Sequence, residues 1–401
     1  MGIVRYSVRC DGCGAAIVLR IGVGIDEEQP FFYVCTNCNA VARGKMLLVG
    51  PGTTRLELVG GKLVTEALDS YQVVTLHPDL PSKTTADTLD GQASSSFLLQ
   101  RDLLGDRFQE FYERLRGFRG AIDENWVAFR RWFDYYLDEN REQFDKEGEK
   151  LLGKAWNAPR SDCDRHHAVH LALELLTAPL WVGPYFPEMK GDIAKALAAA
   201  TSAAAPVLRQ FAVDHLREVV DLQRRLFHCL ELYIDNRSSI LPGLAIEMYK
   251  NGEEAALRDL RVLRDDFPRL RDLYIATFEA VHDVIDFVMA LVNIGERKDP
   301  EAFPVDKPRN LEAFSKLVNA DKAKSLVSLD AWHRHWPTIL DRDVRNAIGH
   351  NSIRHDLPSS MLISKGKPPI PYLTFVVKTY RLVHPVLAAE TALKYLRMAA
   401  T

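Results

Sequence analysis

Ile339-Leu340-Asp341-Arg342-Asp343-Val344-Arg345-Asn346-Ala347-Ile348-Gly349-His350-Asn351 is the stretch on which the reading of this chain turns. Leu340, Val344, Ala347 and Ile348 recur at the three-to-four spacing of an amphipathic helix, so 338–349 is expected to be a helix held by one apolar stripe. Pro337 suits its first turn and Gly349 its end. Arg345, Asn346 and His350 lie off the stripe. Asn346 and His350 are four apart and share a face. Arg345 stands about 140° from His350 on an ideal helix and must reach round or act across an interface.

Working outward, 253–294 reads as a long helix with a possible break near Pro268. A loop with Pro300, Pro304 and Pro308 follows, then a helix from about residue 311 and a short one at 328–335. After the quoted stretch comes a loop containing Pro358, Gly366, Pro368, Pro369 and Pro371, then a closing helix over 374–398. In this setting Arg345-Asn346-Ala347-Ile348-Gly349-His350 resembles the Arg-x4–6-His motif of the HEPN superfamily, with the resemblance extending over 251–401. It implies an α-helical, often dimeric domain of the kind found in metal-independent RNA endonucleases of toxin and antiphage systems. On that resemblance His350 is the general acid/base, Arg345 stabilises phosphate charge, and Asn346 orients substrate or His350. The residue types suit the task, since imidazole titrates near neutrality and a guanidinium presents a fixed fork to phosphate. No cofactor is expected for catalysis, and a homodimer would bring two arginines to one cleft.

The spacing alone is weak, because Arg165-His166-His167-Ala168-Val169-His170 matches it too. The first match ranks higher by context. Residues 301–401 hold 15 Lys and Arg against 9 Asp and Glu, leaving 36 against 45 in the first 300. An anionic partner such as RNA is therefore expected at the C-terminal end. Asp343, Asn351, His355, Lys365 and Lys367 are candidates to line the same cleft. The alternative, from a different class, is a non-catalytic module that binds nucleic acid or protein, with Arg345 and His350 merely capping a helix.

Four of the six cysteines form Cys10-Asp11-Gly12-Cys13 and Cys35-Thr36-Asn37-Cys38. Two such pairs match the thiolate spacing of a structural Zn2+ site, each turn aiming two sulfurs inward. The stretch resembles a zinc ribbon. Cys163 and Cys229 read as isolated thiols. A metal site from Cys163, His166, His167 and His170 is a weaker option.

The expected architecture is mainly α with a small N-terminal β module: a zinc ribbon over 1–45, a β extension over 46–80, a linker over 81–96, an α-helical region over 97–250, and the HEPN-like helical domain over 251–401. Within 97–250, helices are expected at 97–118, 126–149, 168–176, 193–205 and 211–233. The balance of 51 basic to 54 acidic residues excludes a histone-like, globally basic protein. No run approaches the ~18 uncharged apolar residues of a membrane span, and the N-terminus does not read as a signal peptide. A cytoplasmic protein without a membrane partner is expected, held in check by a regulatory partner if it cuts RNA. Dinucleotide, P-loop and nucleophile-elbow patterns are absent.

Overall fold

The structure is a computed structural model of the 401-residue chain. It describes all residues except 1, 51, 66–70, 84–95, 251, 305–307, 319–320, 323–324, 326–334, 350–352 and 365–367, and only the backbone of 96 and 337. Its strands are β1 (Ile3–Cys10), β2 (Ala16–Gly22), β3 (Glu28–Val34), β4 (Val41–Gly50), β5 (Thr53–Val59), β6 (Gly61–Leu63), β7 (Gln72–Leu76), β8 (Ser82–Lys83), β9 (Leu260–Arg261), β10 (Ile353–Asp356), β11 (Met361–Ser364) and β12 (Ile370–Pro371). Its helices are α1 (Ser96–Leu104), α2 (Phe108–Leu137), α3 (Arg141–Leu152), α4 (Asp162–Thr177), α5 (Tyr185–Asp214), α6 (Leu216–Asp235), α7 (Arg237–Glu247), α8 (Glu253–Asp259), α9 (Phe267–Arg297), α10 (Leu311–Ser315), α11 (His335–Ile339), α12 (Arg342–Gly349), α13 (Tyr372–Arg381) and α14 (Val383–Ala400). The fold class is the expected one: mainly helical, with a small N-terminal β module that carries the four cysteines.

The chain divides into two compact units, neither continuous in sequence. The first comprises Met1–Glu113, Asn236–Asp272 and Asn346–Tyr380. Its β structure forms an antiparallel β3-β4-β5 meander and a β6-β1-β2-β7 sheet in which only β2 and β7 run parallel. Alternation does the work: Ile17, Leu19 and Ile21 of β2 are buried, and the residues between them are not. They share a core with Val8, Phe31, Phe32 and Met46. Because β4 crosses residue 45, and β6 and β7 pair back onto β1 and β2, ranges 1–45 and 46–80 share both sheets.

Two expectations for the C-terminal region need correction. The segment after Gly349 was expected to be a loop, yet β10, β11 and β12 form an antiparallel sheet there. Ile353 and Leu362 are buried on it, and Asp356 ties the turn by accepting from the Ser359 hydroxyl at 2.6 Å. The prolines and glycines on either side obscure that alternation. The closing helix is also two helices. Pro385 lacks an N–H and its ring crowds the carbonyl four residues back, at Arg381, where α13 ends.

The second unit comprises Arg114–Asp235, Leu273–Arg345 and Arg381–Thr401. Within it α14 packs against α4, α5 and α6. Most of α14 is buried, including His384, Glu390, Lys394 and Arg397. Phe133 and Phe227 stack with centroids 4.0 Å apart at the α2–α6 contact. The expected helix at 338–349 is split into α11 and α12 by Asp341. That residue's Oδ1 accepts from the backbone N–H of Asp343 at 2.9 Å and of Val344 at 3.1 Å, a helix N-cap. The expected 328–335 helix and most of the 81–96 linker lie outside the described residues. Among those described, one helix, α5, is long and apolar enough to cross a membrane by length and composition. It is interrupted at Ala204, where φ is −158° and ψ 57°, two residues before Pro206.

Candidate metal centre and the C-terminal motif

The two cysteine turns are built alike. The N–H of Cys10 donates to the carbonyl of Ala15 and that of Gly14 back to Cys10. The N–H of Cys35 likewise donates to the carbonyl of Ala40 and that of Asn39 to Cys35. Gly14 and Asn39, each four residues after the first cysteine, take the left-handed conformation with φ of 71° and 58°, where glycine and asparagine are the least strained residues. All four sulfurs lie within 4.8 Å of one another. The Cys10–Cys38 and Cys13–Cys35 Sγ pairs are each 3.7 Å apart. Four sulfurs placed tetrahedrally at the ~2.3 Å of a zinc–thiolate bond are about 3.8 Å apart, so the cage fits a tetrahedral ion. Cys10 and Cys35 are buried in the β core; Cys13 and Cys38 are exposed. Hydrogen bonding from the Asn37 side chain, then from the backbone at Ala15, pulls the Cys13 thiol down to about 6. Burial pushes Cys35 the other way.

In the C-terminal motif, α12 buries Val344, Ala347 and Ile348 and leaves Arg345 and Asn346 half-buried. Both Nε and Nη2 of Arg345 donate to one oxygen, Oε1 of Glu279 on α9, at 2.9 and 2.7 Å. The side chains are 35% and 36% exposed, so the pair is open to solvent. Asp343 is exposed. His350, Asn351, Lys365 and Lys367 lie outside the described residues. His355 does not line an open cleft: it is buried in the first unit, with its ring on Tyr372 at 4.0 Å and edge-on to Phe32 at 6.0 Å.

The second Arg-x4-His segment is locked into the second unit. Arg165 donates to Asp145 at 2.8 and 3.3 Å and to Asp162 at 3.1 Å. His166 and His170 are buried. His170 Nδ1–H donates to the His166 carbonyl at 2.8 Å, which leaves Nε2 as an acceptor 3.5 Å from Glu390 Oε2. Gln223 donates to Glu390 at 3.3 Å and accepts from Arg397 at 3.2 Å. Burial lowers the His170 pKa well below its ordinary value and raises that of Glu390 to about 8. At neutral pH His170 is uncharged and Glu390 mostly so, as a packed core requires. Among the described residues only the N-terminal cysteines gather as metal ligands; Cys163, His166, His167 and His170 do not.

No family model, curated protein or solved structure matches the chain. Sequence reasoning missed Glu279, Gln223 and Glu390, whose partners are 66, 174 and 167 residues away in the chain. It also missed the cap at Asp341, for which a signal existed: an aspartate just ahead of the periodic apolar run.

Proposed function

We propose that this chain is a metal-independent endoribonuclease of the HEPN type, with a structural Zn2+ held by Cys10, Cys13, Cys35 and Cys38. The observation that carries the reading is Arg345: it sits off the buried stripe of a capped helix, half-exposed, with two N–H groups converging on an acceptor oxygen. A phosphate oxygen can take the place of Glu279 Oε1. His350, five residues on, is the acid/base that takes the proton from a 2′-hydroxyl and returns one to the departing 5′-oxygen, leaving a 2′,3′-cyclic phosphate. Asn346 orients substrate or His350. A homodimer supplies both arginines to the cleft. The Glu279 pair keeps Arg345 occupied at rest, which suits a cytoplasmic toxin or antiphage effector restrained by a partner.

The test is incubation of the purified protein with total RNA and tRNA, with and without EDTA, beside Arg345→Ala and His350→Ala. Cleavage that survives EDTA and is lost in both variants is the expected result. Cleavage untouched by either variant removes the site assignment. The occupied state of Arg345 also favours the second reading, a zinc-ribbon and helical module that binds nucleic acid or protein without cutting. RNA binding with no cleavage under any condition selects that reading. For the metal, elemental analysis is expected to give one zinc per chain, lost in Cys10→Ser with Cys35→Ser.

A further inference from the structure

Arg165 and His166, which the proposed reaction leaves unused, line a cavity of about 220 Å³ inside the second unit. The end of α2, the starts of α3 and α4, and the end of α14 enclose it. His166 is only 4% exposed. Its Nδ1 is engaged with the Tyr136 hydroxyl at 2.9 Å, and its Nε2 has no hydrogen-bond partner among the described residues. Arg397, equally buried, lies over the Tyr136 ring at 4.3 Å. It donates from Nη1 to Gln223 at 3.2 Å, and its Nη2 is 3.5 Å from Glu139. Arg141, mostly exposed, donates from Nη2 to Asp162 at 2.5 Å. A guanidinium has five N–H donors, so Arg141 and Arg397 both keep donors beyond these bonds. Tyr135 is half-exposed at the same cavity, and its side chain makes no hydrogen bond or ring contact among the described residues.

We propose that this cavity binds a small planar ring carrying an anionic group. Size sets the ring: a cavity of about 150 Å³ holds benzene, so this one takes a ring with a single substituent, stacked on Tyr135. Polarity sets the substituent. The two lining acidic side chains, Glu139 and Asp162, are already paired with Arg397 and with Arg141 and Arg165, and the Thr401 oxygen at the same cavity accepts from Arg209 at 3.2 Å. The charged groups left over are the remaining N–H donors of Arg141 and Arg397, which favour a carboxylate or phosphate and repel a cation. Burial holds the His166 pKa down to about 3, so it contributes a hydrogen bond and not a charge. Aromatic carboxylates and aryl phosphates share this chemistry. The inference is independent of RNA cleavage and survives its failure.

Calorimetric titration of the full chain with benzoate and with phenyl phosphate, beside benzyl alcohol and inorganic phosphate, tests it. Saturable binding of one molecule per chain is expected for at least one ring-bearing anion, and whichever of the two binds identifies the source. Benzyl alcohol and phosphate are each expected to bind at least about tenfold more weakly, and Tyr135→Ala and Arg141→Ala to weaken the ring-bearing anion by about tenfold each. Both substituted side chains are solvent-accessible, and thermal melting checks that the variants fold. Three results overturn the proposal: no saturable binding of either ring-bearing anion below millimolar concentration, phosphate binding as tightly as they do, or affinities unchanged in both variants.

Discussion

Arg165 and Arg345 stand at the same distance ahead of a histidine, and the fold treats them in opposite ways. The Arg165 side chain is 17% exposed and holds two aspartates through three hydrogen bonds. Behind it His166 and His170 face into the contact with α14, whose Glu390 and Arg397 complete a buried network. Arg345 is twice as exposed and meets one carboxylate oxygen. A guanidinium tied to two aspartates, with its histidines neutral inside a core, is a structural element. One held by a single solvent-accessible partner is the one that the proposed function gives to phosphate. Surroundings, not spacing, separate the two.

The largest expected effect is on cleavage. His350→Ala should slow RNA cutting by about 10²–10⁴ and Arg345→Ala by about 10²–10³, the ordinary worth of a general acid/base and of one charge-stabilising group. His170→Ala should leave the rate per folded molecule unchanged, measured as initial rates normalised to the folded fraction. The reverse pattern would move the site to α4 and break the comparison.

Stability should respond the other way round. His170→Ala opens space in the core and removes the donor to the His166 carbonyl and the acceptor facing Gln223 and Glu390, a loss of about 2–4 kcal/mol in chemical denaturation. Arg345→Ala gives up one half-exposed ion pair and should cost less than about 1 kcal/mol.

The pH profile sharpens the same contrast. Burial depresses His166 and His384 to about 3 and holds His170 well below its ordinary value. Their contribution is present above the unfolded value near 6.5 and is lost as pH falls toward the folded one. Each adds a slope of up to about 1.4 kcal/mol per pH unit across that window. Glu390 carries the opposite sign. Raised to about 8 by burial, its contribution is full below about 4.5 and lost as pH climbs through 8. Melting from pH 4 to 9 should therefore fall at both ends, and Glu390→Gln should flatten the alkaline side and steepen the fall between about pH 6.5 and 4.5.

What could be read from the sequence follows how local each cause is. The cysteine cage was legible because each half is a five-residue turn with its own left-handed residue. The helices were legible from periodicity, although their breaks at Asp341 and Pro385 required following one side chain and one missing N–H. The β10–β12 sheet was hidden because its short alternating runs sit among prolines and glycines. Arg345's partner was out of reach, since Glu279 lies a whole helix earlier and nothing local marks it. The neutral Glu390 was equally hidden, because a glutamate four residues before a lysine reads as a solvated helix pair until the packing around α14 is known.

The smallest effect is the most direct test of how Arg345 differs from Arg165. Glu279→Gln removes the negative charge that Arg345 faces while keeping the side chain's shape and an acceptor oxygen. With the pair half-exposed, stability should change by less than about 1 kcal/mol. RNA affinity, measured by fluorescence anisotropy over a salt series, should rise a few-fold. The slope of log affinity against log salt should steepen by about 0.7, because one more phosphate counterion is released on a single strand. The same substitution in an Arg345→Ala background should do neither, because the freed cation is then missing. An unchanged slope in Glu279→Gln would mean that Arg345 meets no phosphate, and the exposed pair would join the buried one as scaffold.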